Sequence, residues 1–267
     1  MPEFPCATPV HADITMAAGL GDITCEERES AYVDVSPYEP GDRNGAEVAA
    51  ATEVRFDGDR LTVRVPEAGI GWLFKRQPAL RITVKLPSGS SVNAKSASAD
   101  LISRGQSTRV QLNSGSGSLS VADAHDIGVN TASGDVKVMR AAGSVHANSA
   151  SGDIEIDHAD GEVNAKSASG DIRVGFAGAK LSATTASGDV LVRQGRRGVH
   201  KVRTVSGSVS IGVAKGTGVW LDLSTTSGRT SSDLSVGDTP AGNIGEPDLN
   251  LQVRTISGDI EVLRTLD

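Results

Sequence analysis

The sequence predicts an all-β fold: a slim β-solenoid of about 18-residue coils with an irregular N-terminal β cap. Three observations support this prediction. An S-G-D-like turn recurs at a nearly fixed spacing, and SASGDI itself occurs at 149–154 and again at 167–172. Aliphatic residues alternate with polar ones on both sides of each turn. Aromatic residues make up only 3% of the chain, while glycines number 31, which suits a narrow repetitive core.

The repeat is anchored on the Ser of each turn. These residues are Ser98, Ser116, Ser133, Ser151, Ser169, Ser187, Ser206, Ser227 and Ser257. A fixed period of this kind indicates a repeat architecture, in which one unit cannot bury its apolar side alone but stacked units can.

Each unit contains two short strands on either side of the turn. Positions six and four before the Ser, and three and five after it, are mainly aliphatic, and position two before it is always Ser or Thr. We expect the aliphatic columns to point inward. We expect Gly134, Gly152, Gly170 and Gly188 to supply a positive φ at the corner, and the Ser and Asp side chains to bond to local backbone.

The first 87 residues keep the period poorly and are predicted to form the cap, with the solenoid repeats at 88–267. One degenerate coil runs from Ile14 to Cys25, with Cys25 pointing inward, and VRFDGDRLTVRV predicts a hairpin at Asp57-Gly58. The segment 230–249 is rich in Gly, Pro and Asp, so it predicts a loop insertion before the final coil.

Tandem S-G-D-[IV] units after a less regular β region resemble the bacterial family named "putative adhesin", a group of β-strand-repeat proteins of unassigned function. The tail GVWLDLSTTSG…VRTISGDIEVLR is similar to that of cytosolic-looking members from high-GC bacteria. The resemblance implies a right-handed parallel β-helix-like fold and no catalytic residues. It also implies an association with the cell envelope or a stress response.

Composition excludes several classes of protein. The formal net charge is −7, so no nucleic-acid partner is expected. No apolar run approaches the roughly 18 residues of a membrane span. The start lacks signal-peptide features, which predicts a cytoplasmic location, although a chain trimmed of its signal would look the same. The two cysteines, Cys6 and Cys25, leave a disulfide open, and no zinc or other cofactor motif is present.

The turn carboxylates are the first candidates for chemistry. Asp135, Asp153, Asp171 and Asp189 recur at the same position of consecutive coils, so stacking would place neighbours about 5 Å apart. Solvated structural carboxylates are the main interpretation, with a weak calcium ladder as one alternative and a polysaccharide-acting enzyme as another. Because a repeated column gives every coil the same environment, it does not provide a distinct acid and base, and we predict no enzyme.

The outward columns, three and five positions before the turn Ser, form a more unusual surface. Of eighteen positions, five are Lys or Arg, seven are amides and one is acidic. A face of amides and cations suits a protein, a glycan or an anionic polymer, while stacked Asn ladders that only stabilise the sheet are the alternative. The candidate binding residues here are Asn130, Asn148, Asn164, Lys166, Lys201 and Arg203.

Two other features stand out. In GIGWLFKRQP (69–78), Trp72 and Phe74 predict either a finger for a membrane surface or partner protein, or a loop folded over the end of the core. His200 occupies an aliphatic column, and we expect a register slip that turns Val199 inward instead.

The sequence therefore predicts a non-enzymatic, adhesin-like scaffold that presents a repetitive polar face to a protein, polymer or membrane partner. A polysaccharide-acting β-helix enzyme and a self-associating structural element remain the alternatives.

Overall fold

The computed structural model describes residues 2–6, 8–66, 78–234 and 247–265. These residues form two units, Met1–Gly134 and Asp135–Asp267. The elements of the first unit are β1 (Glu3–Pro5), β2 (His11–Glu26), β3 (Ser30–Pro37), α1 (Arg43–Ala50), β4 (Glu53–Asp57), β5 (Arg60–Arg64), β6 (Leu80–Pro87), β7 (Ser91–Ser114) and β8 (Leu119–Thr131). Those of the second are β9 (Val136–Ala141), β10 (Val145–Ser149), β11 (Ile154–Ala159), β12 (Val163–Ser167), β13 (Ile172–Ala177), β14 (Leu181–Thr184), β15 (Val190–Gly195), β16 (Gly198–Arg203), β17 (Val209–Val213), β18 (Val219–Ser227), β19 (Thr230–Ser232), β20 (Leu249–Ser257) and β21 (Ile260–Arg264).

The first unit is organised around the long strand β2. Strand β2 runs parallel to β7 from His11↔Ser91 to Cys25↔Gly105, and on its other side it pairs with β5 and then β6. Antiparallel strands β1 and β3 extend the sheet beyond β6. The predicted hairpin is confirmed, since β4 and β5 pair antiparallel around Gly58, whose φ is +61°. The short helix α1, which the strand pattern did not predict, precedes this hairpin.

The second unit consists of two stacks of parallel strands. Stack A has the order β10, β12, β14, β16, β20, β18, and stack B has the order β9, β11, β13, β15, β17, β21, β19. Each coil contributes one strand to each stack, and the pairs join residues 18 or 19 apart over most of the unit, as in Ala147↔Ala165 and Ile154↔Ile172. The predicted all-β parallel solenoid is therefore confirmed.

The last coils of the second unit do not stack in chain order. Strand β20 lies between β16 and β18, and β21 lies between β17 and β19. The coil at 249–264 thus lies between the coil at 198–213 and the coil at 219–232, although it follows both in the chain. Burial agrees with this order, because Leu251 and Val253 are fully buried whereas Thr230 and Ser232, expected to point inward, are exposed.

Aliphatic side chains fill the interior of each coil. In the second unit the inward columns run through Val145, Val163, Leu181 and Leu251 on stack A, and through Ile154, Ile172, Val190, Val209 and Ile260 on stack B, all of them at most 1% exposed. Alternation along each strand places the polar residues outside, as the sequence pattern predicts.

The predicted positive φ at the turn glycine is found in three later coils, at Gly207, Gly228 and Gly258, but is wrong for four earlier ones. Gly134, Gly152, Gly170 and Gly188 do not have positive φ angles. Instead, the chain passes very close to the coil below. A Cβ added at Gly170 would lie 2.2 Å from the carbonyl oxygen of Gly152, and one at Gly188 would lie 2.3 Å from that of Gly170. Glycine is therefore needed for close backbone approach.

The Ser or Thr that stands two positions before each turn Ser hydrogen-bonds to these same carbonyls and so joins one coil to another. Ser167 donates to the carbonyl of Gly152 at 3.2 Å, Thr185 to that of Gly170 at 3.1 Å, and Thr204 to that of Gly188 at 3.2 Å. These hydroxyl-bearing side chains are almost completely buried. A buried hydroxyl is costly without a partner, and the carbonyl of a half-buried turn glycine supplies that partner.

His200 points into the core, so the predicted register slip is wrong. It pairs in register with Leu181 and Leu251, and its side chain is fully buried, while Val199 is only half-buried. Gly195 leaves the space for the ring, since a Cβ there would lie 2.7 Å from His200 Cε1.

The cysteines are free thiols, so no Cys6–Cys25 disulfide forms. Cys25 points inward as expected, and burial raises the pKa of its thiol, although Ser107 Oγ donates to Sγ at 3.3 Å. Among the described residues the one helix, α1, has eight residues and is too short to cross a bilayer.

Candidate binding face

Stack A of the second unit presents one outward face with four exposed cations. We call Lys166, Lys201, Arg203 and Arg254 the cationic face. Lys166 lies on β12, Lys201 and Arg203 on β16, and Arg254 on β20. Because all four lie at alternate positions to the buried aliphatic residues, the pleat directs them to the same side of the sheet.

Strand register groups these cations toward one end of the stack. Lys166 pairs with Thr184, Thr184 with Arg203, and Arg203 with Arg254. Arg203 and Arg254 therefore lie directly opposite each other on neighbouring strands, about 4.8 Å apart along the stack. Lys201 precedes Arg203 by two residues on the same face. The inserted position of β20 produces this cluster, because in chain order Ser224 would lie beside Arg203.

Few carboxylates balance these charges. Asp222 Oδ2 lies 3.6 Å from Arg254 Nη2, and no described carboxylate forms an ion pair with Lys166, Lys201 or Arg203. Like charges that lie directly opposite each other destabilise a sheet. Arg203 and Arg254 thus repel each other, and of these two Arg254 has a described carboxylate close by.

The amides predicted for this surface lie in both units. In the first unit, Asn130 Nδ2 donates to Asn113 Oδ1 at 3.0 Å, which is one step of an Asn ladder and supports the structural interpretation for that pair. In the second unit, Asn148 and Asn164 are half-buried beside Lys166. The Oδ1 atom of Asn164 is buried and has no hydrogen-bond partner.

The turn carboxylates connect neighbouring coils. The amide of Asp153 donates to Asp135 Oδ1 at 3.0 Å, the amide of Asp171 to Asp153 Oδ1 at 2.9 Å, and the amide of Asp189 to Asp171 Oδ1 at 2.9 Å. The partners are therefore in the next coil and not in the local turn, as had been expected. Each of these three carboxylates is used in stacking.

Arg173 adds a second contact to this column. Its guanidinium bridges Asp153 Oδ2 at 2.8 Å and Asp171 Oδ2 at 2.6 Å. The hydrogen bond from Arg173, aided by that from the Asp171 amide, lowers the pKa of Asp153. Within the described ranges, no group of three or more His, Cys, Asp or Glu residues is arranged to hold a metal ion.

Trp72 and Phe74, the candidate finger residues, lie outside the described residues. Whether they contact a membrane or a partner stays a prediction from the sequence.

A comparison with known protein families gave a match over most of the chain. The family described as Toastrack DUF4097 matches residues 11–263, which is nearly the whole chain. The chain belongs to this family. The resemblance inferred from the S-G-D repeat is thereby confirmed, and the family is one of unknown function. A comparison with curated proteins gave no match.

Several solved structures resemble the chain. A protein of Bacteroides fragilis named a "putative adhesin" is 16% identical with a TM-score of 0.48, and the match covers 98% of this chain and 95% of that one. A protein of Parabacteroides distasonis named a "putative lipid binding protein" is 13% identical with a TM-score of 0.46, covering 99% and 96%. A "putative adhesin" of Parabacteroides merdae is 12% identical with a TM-score of 0.45, covering 99% and 95%. Likeness at this level supports no statement on function.

Proposed function

We propose that this Toastrack protein is a non-enzymatic interaction module that binds an anionic polymer through the cationic face. The single observation that carries the proposal is the alignment of Arg203 with Arg254 on neighbouring strands, with Lys201 and Lys166 on the same face. Adhesion or scaffolding requires a rigid repetitive surface more than a pocket, and the stacked coils supply such a surface.

The spacing of these charges supports an extended polymer as the ligand. Strands repeat about every 4.8 Å along the stack, so the cations form a row that an extended polyanion can follow. Arg donates in a planar fork that suits sulfate, phosphate and carboxylate groups, and the neighbouring Asn and Gln amides add neutral hydrogen bonds. Association that relies on such exposed charges weakens as salt screens them.

Charge reversal tests the proposal directly. Lys166→Glu/Arg203→Glu should elute from a heparin-type polyanion column at clearly lower salt than the parent protein, because two attractive contacts become repulsive. The measurement is the salt concentration at elution, with the thermal unfolding midpoint recorded to show that both proteins are folded.

The matched control is Arg140→Glu/Arg193→Glu, which reverses two exposed cations outside stack A. Both double variants change the net charge equally. If the control loses retention as much as the face variant, binding depends on net charge and the proposed face is wrong. Equal elution of the face variant and the parent would also contradict it.

The turn carboxylates do not support the alternative of a polysaccharide-acting enzyme. The described turn carboxylates accept amide hydrogen bonds from the neighbouring coil, and the repeated column does not separate an acid from a base. The polysaccharide-acting enzyme therefore remains only the alternative from the sequence. The cytoplasmic location likewise stays a prediction from the sequence.

A further inference from the structure

A second basic site lies at one corner of the second unit, where stack B leads into stack A. A cavity of about 340 Å³ is lined by Arg196, Arg197, Ala214, Lys215, Gly216, Thr217 and Asp248. We call it the corner pocket. None of its residues belongs to the cationic face, and the repeat pattern does not predict it, because it forms where irregular connections from neighbouring coils meet.

A hydrogen-bonded turn forms one wall of the corner pocket. The amide of Thr217 donates to the carbonyl of Ala214 at 3.3 Å, and Gly216 takes a φ of +79°, so residues 214–217 close a tight turn. Arg264 Nη1 donates to the carbonyls of both Ala214 and Thr217 at 3.0 Å. The guanidinium thereby holds the turn and adds a positive charge behind it.

The turn leaves donors available at the pocket. The amides of Lys215 and Gly216 donate to no described acceptor, and both residues are exposed. Consecutive free amides in a turn with one positive φ form a concave donor surface of the kind that binds anions.

Charge in the corner pocket is strongly unbalanced. Arg196, Arg197 and Lys215 make no ion pair with a described carboxylate. Arg197 Nε donates to the carbonyl of Gly178 at 3.3 Å, which orients its guanidinium while leaving the terminal nitrogens free. The lining holds one carboxylate, that of Asp248, whose Oδ2 accepts the amide of Gly218 at 3.1 Å. Three cations therefore share the pocket with one anion.

We propose that the corner pocket binds a phosphate group, carried either by a small soluble molecule or by the headgroup of an anionic lipid. Two guanidinium forks, one ammonium and two turn amides match the several acceptor oxygens and the double charge of a phosphate monoester better than a single carboxylate. The inference is independent of polymer binding at the cationic face, because the residues differ.

Titration with inorganic phosphate, followed by amide NMR of the full chain at constant ionic strength, tests the site. The parent protein should show saturable shifts at Lys215 and Gly216. Arg196→Gln/Lys215→Gln should weaken binding by about tenfold or more, since it removes two charge-assisted contacts. The control Arg140→Gln/Arg193→Gln removes the same charge outside the pocket and outside the cationic face, and should bind phosphate like the parent.

Vesicles separate the two sources of phosphate. Phosphatidylcholine vesicles with and without phosphatidic acid are sedimented with each protein. Retention only on the acidic vesicles, lost in Arg196→Gln/Lys215→Gln, would assign a lipid headgroup, while phosphate binding without vesicle retention would assign a soluble ligand. No saturable phosphate shift at about 10 mM, or equal affinity in the parent and the pocket variant, would overturn the proposal.

Discussion

Among single residues, His200 departs most from the repeat that surrounds it. Its Nε2 lies 2.9 Å from the carbonyl oxygen of Ala179, and since a carbonyl only accepts, this nitrogen carries the proton. Nδ1 is buried and has no partner. Burial lowers the pKa of His200, although backbone contacts with Ala179 and Arg197 oppose the effect. The neutral ring is therefore accommodated in a column of Leu residues, and a charged ring is not.

This imidazole should make stability depend on pH. With a lowered pKa in the folded state, the unfolded chain binds the proton first, so the free energy of unfolding should fall as the pH drops below about 6.5. His200→Leu, which restores the residue type of the flanking Leu181 and Leu251, should flatten this decline. Urea unfolding at pH 7 and pH 5 measures it.

The exposed His146 provides the control for that experiment. His146→Leu should keep the parent's loss of stability between the two pH values. A His200→Leu variant whose stability falls as steeply as that of the parent would show that other groups cause the pH dependence.

The turn glycines make a second prediction at the residue scale. Gly170→Ala places a Cβ 2.2 Å from the carbonyl oxygen of Gly152, so the coils must move apart, and we expect a loss of about 1–3 kcal/mol in the free energy of unfolding. Gly218→Ala is the control, because its Cβ would meet Asp248 Oδ2 at an ordinary 3.5 Å. Equal losses in the two variants would contradict the close-approach explanation.

At the scale of elements, the order of strands in stack A decides where the cations lie. Strand β20 separates β16 from β18, so Lys201 pairs with Gln252, and Gln252 pairs with Asp222. Stacking in chain order would pair Lys201 with Asp222. The two arrangements differ by one coil, or about 4.8 Å.

Paired cysteines distinguish the two orders. Lys201→Cys/Gln252→Cys should form a disulfide on mild oxidation, since neighbouring strands bring the Cα atoms within bonding range. Lys201→Cys/Asp222→Cys should not, because the residues are two strands apart, about 9.6 Å. Mass mapping of the oxidised peptides gives the result. Efficient bonding of 201 to 222 would mean that the coils stack in chain order.

The sequence pattern predicts most of the coil but not this order. The S-G-D spacing identifies the turns, and alternation places Lys166, Lys201 and Arg203 on one outward face, because both depend on local periodicity. A repeat gives every coil a similar edge, so it cannot say which coil pairs with which. The interval of 30 between Ser227 and Ser257, with Thr230 and Ser232 in place of aliphatic residues, is the one signal of the inserted coil.

Other features escape the pattern for a related reason. The corner pocket depends on irregular connections, such as the turn at 214–217, whose carbonyls accept hydrogen bonds from the side chain of Arg264. Helix α1 and the antiparallel strands of the first unit arise in a region that keeps no period. His200 is buried because Gly195, five residues earlier, leaves space for its ring. The residue types found at each position of the repeat do not reveal that these two residues lie together.

At the scale of the whole molecule, the distribution of charge matters more than its sum. The chain carries a formal net charge of −7, yet the cations of the cationic face lie together with one carboxylate, Asp222, beside them. A polyanion would therefore be repelled by the net charge of the chain but attracted where cations cluster, as they do on the proposed cationic face. Such an arrangement favours oriented binding over non-specific adhesion.

The salt dependence of polyanion affinity tests this account most directly. We would measure the Kd of a heparin-type oligosaccharide from about 50 to 300 mM salt for the parent protein and for Arg203→Gln/Arg254→Gln. The account predicts that affinity falls steeply with salt in the parent, and that the variant binds more weakly with a shallower slope. Equal affinity and equal slope in the two proteins would contradict the claim that the aligned arginines form the binding face.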